Sequence, residues 1–117
     1  MLKRGLIGAG GALEKEGWNV STAVFLQSVS VSTAASPNGL FFRPDGTKMY
    51  VVGGSADKVY EYNLSTPWSV STAVFLQDFS IAGQETSPEG LFFKPDGTKM
   101  YVTGGNNTRI YEYDLTA

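Results

Sequence analysis

One pattern is written twice in this chain, and that constrains the fold more than any other feature. Residues Gly39–Gly54 read GLFFRPDGTKMYVVGG and residues Gly90–Gly105 read GLFFKPDGTKMYVTGG. The likeness extends upstream, where Trp18–Gln27 reads WNVSTAVFLQ and Trp68–Gln77 reads WSVSTAVFLQ. A unit that recurs about every 50 residues marks a repeat architecture, in which each unit buries its faces against neighbouring units. Two units leave few neighbours, so the pattern raises the question of what covers the outer faces.

Each unit reads as four short strands. Gly39–Arg43 is an apolar run that ends in Pro44-Asp45-Gly46. Pro suits the second position of a type I turn, Asp the third, and Gly the left-handed residue after it. This predicts a hairpin with a glycine bulge. The second strand is then Lys48–Val52, broken by Gly53 and Gly54. A third covers Lys58–Asn63, and a fourth Thr72–Ser80 after the turn at Leu64–Trp68. The loop Ile81–Ser87 leads into Gly90–Lys94, where the cycle restarts. The expected fold class is therefore all-β, with two four-stranded antiparallel meanders. Leu40-Phe41-Phe42 and Met49-Tyr50-Val51-Val52 are apolar on both faces. Lys58–Asn63 alternates, and Ser28, Ser30, Asp78 and Ser80 make the fourth strand more polar. Sheets stacked radially satisfy this gradient, with inner strands sandwiched and outer strands wet.

The unit Phe-(Arg/Lys)-Pro-Asp-Gly-Thr-Lys-Met-Tyr-Val, then Gly-Gly, then Tyr-Glu-Tyr-(Asn/Asp)-Leu, resembles the blades of YVTN and lactonase-like β-propellers. The resemblance covers Trp18–Ala117. It implies two blades per chain, in families that usually carry six to eight in one chain. Residues 1–17 read as an N-terminal arm, and residues 18–66 and 67–117 as the two sequence repeats. The order of strands is permuted. The outer strand Thr22–Ser30 comes first, and the last blade ends at its third strand, Arg109–Asp114. Closure of a propeller needs at least about four blades. The expectation is that Thr22–Ser30 of one copy pairs with the edge of Arg109–Asp114 in the next, head to tail, until a ring closes. Two blades per chain allow even totals alone. A homotrimer with six blades is favoured, a tetramer with eight is the alternative, and a dimer would give four. Without closure, Phe41, Phe42, Phe92 and Phe93 would form an apolar surface larger than soluble monomers show. An excerpt from a longer propeller would expose the same surfaces.

Composition removes several functions. With 117 residues the chain is one domain's worth of material. A net charge of −2 gives no basic footprint for nucleic acid. No apolar run reaches the ~20 residues of a membrane span. There is no Cys and no His, which removes thiolate chemistry, the commonest general base and the commonest metal ligand. No cofactor and no metal are expected. The stretch Gly5–Leu13 after Lys3 and Arg4 is too short and Gly-rich for a signal peptide. It also fails the dinucleotide fingerprint, because the third Gly would fall at Leu13 and no βαβ unit follows. The compartment is left open between a soluble and an extracellular or surface-associated location. The sequons at Asn19, Asn63 and Asn106 bear on it only in a protein secreted by a eukaryote.

Among candidate site residues, Asp45 and Asp96 read as turn caps rather than metal ligands or acids. Glu61 with Lys48 and Glu112 with Lys99 recur in both units, as do Lys58 and Arg109, and read as cross-strand ion pairs. Trp18 and Trp68 fit packing before the outer strand better than sugar stacking. The loops that differ between units are the better candidates for a ligand site. Antiparallel order sets the loops after the fourth and second strands on one face. In the second unit they hold Gln84, Glu85, Thr86, Asn106, Asn107 and Thr108. In the first they hold Ser32, Thr33, Ser36, Ser55 and Asp57. Of these, Gln84, Glu85, Asn106, Asn107, Thr108, Ser55 and Asp57 form the expected ligand-binding set, for a glycan or a protein. The functional expectation is a homo-oligomeric binding or structural module with lectin-like logic. A lactonase-like hydrolase is the alternative, opposed by the lack of His, Cys and an unrepeated acid cluster. A third reading is an intermediate of propeller amplification with no ligand of its own.

Overall fold

The computed structural model describes residues 17–116. The expected arm at residues 1–17 lies outside the described residues except for Gly17. Seven strands follow in order: β1 (Pro37–Phe42), β2 (Lys48–Gly53), β3 (Lys58–Leu64), β4 (Ala73–Ser80), β5 (Pro88–Phe93), β6 (Lys99–Gly104) and β7 (Arg109–Asp114). They form one four-stranded antiparallel sheet, β1-β2-β3-β4, and one three-stranded antiparallel sheet, β5-β6-β7. The all-β meander read from the sequence is therefore present. Three short 3-10 turns, Val20–Thr22, Ser32–Ala34 and Val70–Thr72, were not anticipated. No described helix is long and apolar enough to cross a membrane.

The hairpin chemistry is as the turn residues dictate. Gly46 has φ +75° and Gly97 φ +77°, a region open to glycine at little cost. The Gly46 amide donates to the Arg43 carbonyl at 2.7 Å, and the Gly97 amide to Lys94 at 2.8 Å. The two inner hairpins share their registers: Phe41 faces Tyr50, and Phe92 faces Tyr101. Each inner strand carries an irregularity, between Pro37 and Gly39 and between Pro88 and Gly90, so the strands begin at the prolines.

One expected strand is missing. Residues 23–31 form neither helix nor strand, although their sequence repeats that of β4. The physical cause is the lack of a partner. A strand is held by ladder hydrogen bonds to a neighbour, and β4 has β3.

The sheets pack face to face. Val52, Val59 and Ile81 of the first unit share a buried cluster with Phe93, Met100 and Val102 of the second. Phe41 meets Phe92 edge-on at 5.3 Å, and Tyr50 lies 4.3 Å from Phe93 between ring centroids. Offset and edge-on geometries of this kind suit aromatic quadrupoles. The opposite face of the first sheet buries Met49, Val51, Tyr60, Tyr62 and Leu64 under Ala34, with Val29 and Val31 alongside. Both faces of β2 and β3 are thus covered.

Candidate functional site

The loops singled out by sequence converge at one end of the second sheet. Gln84 and Glu85 lie in the β4–β5 loop, and Asn106, Asn107 and Thr108 in the β6–β7 loop. The Asn107 side-chain amide donates to the Gln84 carbonyl and to the Tyr111 hydroxyl, each at 3.1 Å. The Asn106 amide group donates to Thr86 Oγ1 at 2.7 Å, and the Tyr113 hydroxyl to Gln84 Oε1 at 3.1 Å. Burial pushes the Tyr113 phenol above its ordinary pKa. Asp57 joins the same end of the molecule, since its carbonyl accepts the Ile81 amide at 2.9 Å where the β4–β5 loop begins. Ser55 is exposed in the β2–β3 loop. Asp57 and Thr108 occupy matching left-handed positions, φ +55° and +56°.

Glu85 differs from the rest of this set because it is wholly buried. Its Oε2 accepts the amides of Ser87 (3.0 Å) and Asn106 (3.1 Å), which ties the two loops together. Its Oε1 has no hydrogen-bond partner among the described residues, and the same holds for Asp57 Oδ1. The exposed members, Gln84, Asn106, Asn107, Thr108 and Ser55, offer neutral donors and acceptors to solvent. Such a set can hydrogen-bond a hydroxylated or peptidic ligand. It holds no paired acid and base. Tyr111, Tyr113 and Ser87 belong to this end of the sheet too, and the sequence reading missed their part. The signal was the repeat itself, since Tyr62, the counterpart of Tyr113, meets Thr33 in the first unit at 3.1 Å.

The recurring charges are structural. Asp45 Oδ1 accepts from the Thr47 amide (2.9 Å) and hydroxyl (2.7 Å), and Asp96 does the same with Thr98. The hydroxyl and amide hydrogen bonds hold both carboxyls below the ordinary carboxylate range. Lys48 reaches Glu61 at 3.1 Å and Lys99 reaches Glu112 at 3.1 Å across paired strands. Lys99 also pairs with Asp114, and the hydrogen bonds it donates to Asp114 and then Glu112 raise its pKa. Lys58 pairs with Asp78 of β4 at 3.5 Å.

The largest difference between the repeats is in what covers them. β3 has β4 on its outer edge, whereas β7 has no strand beyond it among the described residues. Val59 in β3 is 6% exposed, and its counterpart Ile110 in β7 is 72% exposed. Phe41 packs into the second sheet, while its counterpart Phe92 is left exposed. On the far face of the first sheet, Leu40, Met49, Val51 and Val70 line an open apolar groove of about 450 Å³. Trp18, Val20, Val24, Phe25 and Leu26 stand exposed in one stretch. Comparison with protein-family models finds no match, and comparison with curated proteins finds none.

Proposed function

We propose that the chain is the two-blade building block of a homo-oligomeric β-propeller, a binding and scaffolding module whose ring closes by strand exchange between copies. One observation carries the reading. Among the described residues, two near-identical sheets differ in that the first has a fourth strand and the second has an open edge, while the repeat of that fourth strand has no strand partner. Placed on a neighbour's β7 in the register of β3 with β4, the segment Thr22–Ser30 sets Val29 opposite Ile110, Gln27 opposite Glu112 and Phe25 opposite Tyr113. The first sheet supplies the template for the polar contact, since Gln77 donates to Glu61 at 2.8 Å.

Chain direction supports exchange between copies rather than within one. β4 leaves the first sheet, and the loop Ile81–Ser87 delivers the chain to the second. By the same path, Thr22–Ser30 belongs to a sheet before the first, and the described residues hold no such sheet. The connecting residues 31–36 reach at most about 20 Å, and Val31 and Ala34 are already packed on the far face of the first sheet. Exchange would cover Ile110, Phe92 and Leu40, each contributing up to roughly 1.5–3 kcal/mol on full burial. Three copies make six blades, the ring we favour, and four make eight.

A closed ring repeats the loop face of Gln84, Asn106, Asn107, Thr108, Ser55 and Asp57 once per chain. Weak contacts of each face with a glycan or protein then add by avidity. Light scattering tests the assembly. A mass of three times 12.6 kDa is expected, and a folded, monodisperse single chain at micromolar concentration would overturn it. A glycan array probed with the associated protein tests the loop face, where binding lost on dissociation is the expected result.

A further inference from the structure

In the first sheet, Trp68 closes the turn between β1 and β2. Its amide donates to the Gly46 carbonyl at 2.9 Å. Its ring stacks on Phe42, with centroids 5.4 Å apart and planes 29° apart. A Cβ on Gly46 would lie 2.5 Å from that indole, so the glycine is what admits the ring. In the second sheet the same turn is bare. Gly97 has the same left-handed φ as Gly46, yet no atom of the described residues lies within 4 Å of where its Cβ would be. Gly97 and Phe93, the counterpart of Phe42, line two adjoining grooves with Tyr50 and Leu115.

The missing indole exists elsewhere in the chain. Trp18 is fully exposed, and its backbone has the shape that Trp68 has when docked. The two φ values are +64° and +67°. Each Trp is followed by a 3-10 turn of sequence Val-Ser-Thr, with closely matching flanking dihedrals: −105°, 99° at Asn19 and −98°, 102° at Ser69. A bulky residue at positive φ is strained, so two occurrences in matched segments mark a shape specified by the local sequence.

We infer that the Pro95–Gly97 turn and the groove beside it, lined by Tyr50, Gly97 and Leu115 with the buried Phe93 at its floor, form a receptor for the indole of Trp18 from a second copy of the chain, and that this indole anchors the association. The inference rests on the strand-exchange reading and adds to it the anchor residue and its socket. A buried Trp in a tight pocket is the commonest kind of binding hot spot. A segment already in its bound shape loses little conformational freedom on docking. Strand pairing alone would place Thr22–Ser30 but would leave the turn over Gly97 bare.

The test uses the full chain carrying Trp68→Phe, which leaves Trp18 as its one indole. Mass and tryptophan emission are followed together over a dilution series. The expected result is an oligomer in which Trp18 emission is blue-shifted and resists acrylamide, both effects vanishing on dissociation. An oligomer in which Trp18 stays as quenchable as free indole overturns the socket and leaves strand exchange standing. A wild-type chain that is monomeric at every concentration overturns both. A second variant removes dependence on Trp68→Phe: Trp18→Ala in the otherwise native chain should raise the dissociation constant at least about tenfold. An unchanged constant would also sink the inference.

Discussion

The carboxyl group of Glu85 lies directly over Gly104, in the space that a side chain at 104 would need. In the first unit the equivalent glycine, Gly53, is covered by the backbone carbonyl of Ala34. The same backbone scaffold is thus plugged by a backbone carbonyl in one repeat and by a buried, hydrogen-bonded carboxyl group in the other. The β4–β5 loop is fastened to the β6–β7 loop by that carboxyl group, and the candidate ligand face inherits its shape from the fastening.

Glu85→Ala should therefore loosen this end of the second sheet without disturbing the first. Two amides, of Ser87 and Asn106, lose their acceptor. A loss of roughly 2–3 kcal/mol is expected in urea unfolding at fixed chain concentration. Hydrogen exchange at the Asn106 amide should accelerate, while exchange in β1–β3 stays as it was. Gly104→Ala should produce the same loosening by pushing the Glu85 side chain aside. Unchanged exchange at Asn106 in both variants would show that the fastening does not hold the loop.

Ile110 separates folding from association. Its counterpart Val59 is part of the buried cluster between the sheets, and Ile110 faces solvent in a single chain. Ile110→Lys should leave the circular dichroism and the unfolding of the dissociated chain within about 0.5 kcal/mol of wild type, as for an ordinary surface change. The same variant should shift light scattering toward the single chain, because a lysine would be buried without a partner on association. Val59→Lys should instead disrupt the packing between the sheets. If Ile110→Lys associates as wild type does, the open edge is not the interface.

Acid should weaken the fold through its turns. Asp45 and Asp96 have carboxyl pKa values below the ordinary 3.8, chiefly because the Thr47 and Thr98 hydroxyls donate to them. Asp114 is lowered in the same sense by its hydrogen bond with Lys99. A lowered folded-state pKa means that the folded chain binds protons less readily than the unfolded one. The stabilisation is present above the unfolded value and is lost as pH falls through the folded value. Thermal stability should hold from neutral pH to about pH 5 and fall below about pH 4. Thr47→Val with Thr98→Val removes the donating hydroxyls. The acid-induced fall should be shallower in that double variant, and an equal fall would assign the effect to other carboxylates.

Much of this fold is local and hence legible. Pro44-Asp45-Gly46 and Pro95-Asp96-Gly97 fix their hairpins by dihedral preference and an aspartate cap. Apolar runs with polar outer strands give the meander order, and repeated Lys and Glu positions give the cross-strand pairs. The candidate loops stand out as the places where the copies diverge. That Glu85 is buried, and that Asn107 bonds to Gln84 and Tyr111, was not legible. Those contacts join residues from different loops, and their geometry follows from how the strands bring the loops together.

The sequence by itself determined the repeat, its turns and the strands β1–β7 with their antiparallel order. Only the tertiary structure decided which of two equivalent positions is covered. Gly46 and Gly97 sit in nearly the same words, and one lies under an indole while the other lies bare. Val59 and Ile110 are both apolar residues of third strands, and one is buried while the other is open. Turn and strand preferences are set within a few residues, so identical segments share them. Burial is set by what stands alongside: β3 has β4 beyond it and the second sheet over Val59, and among the described residues nothing equivalent stands over Ile110.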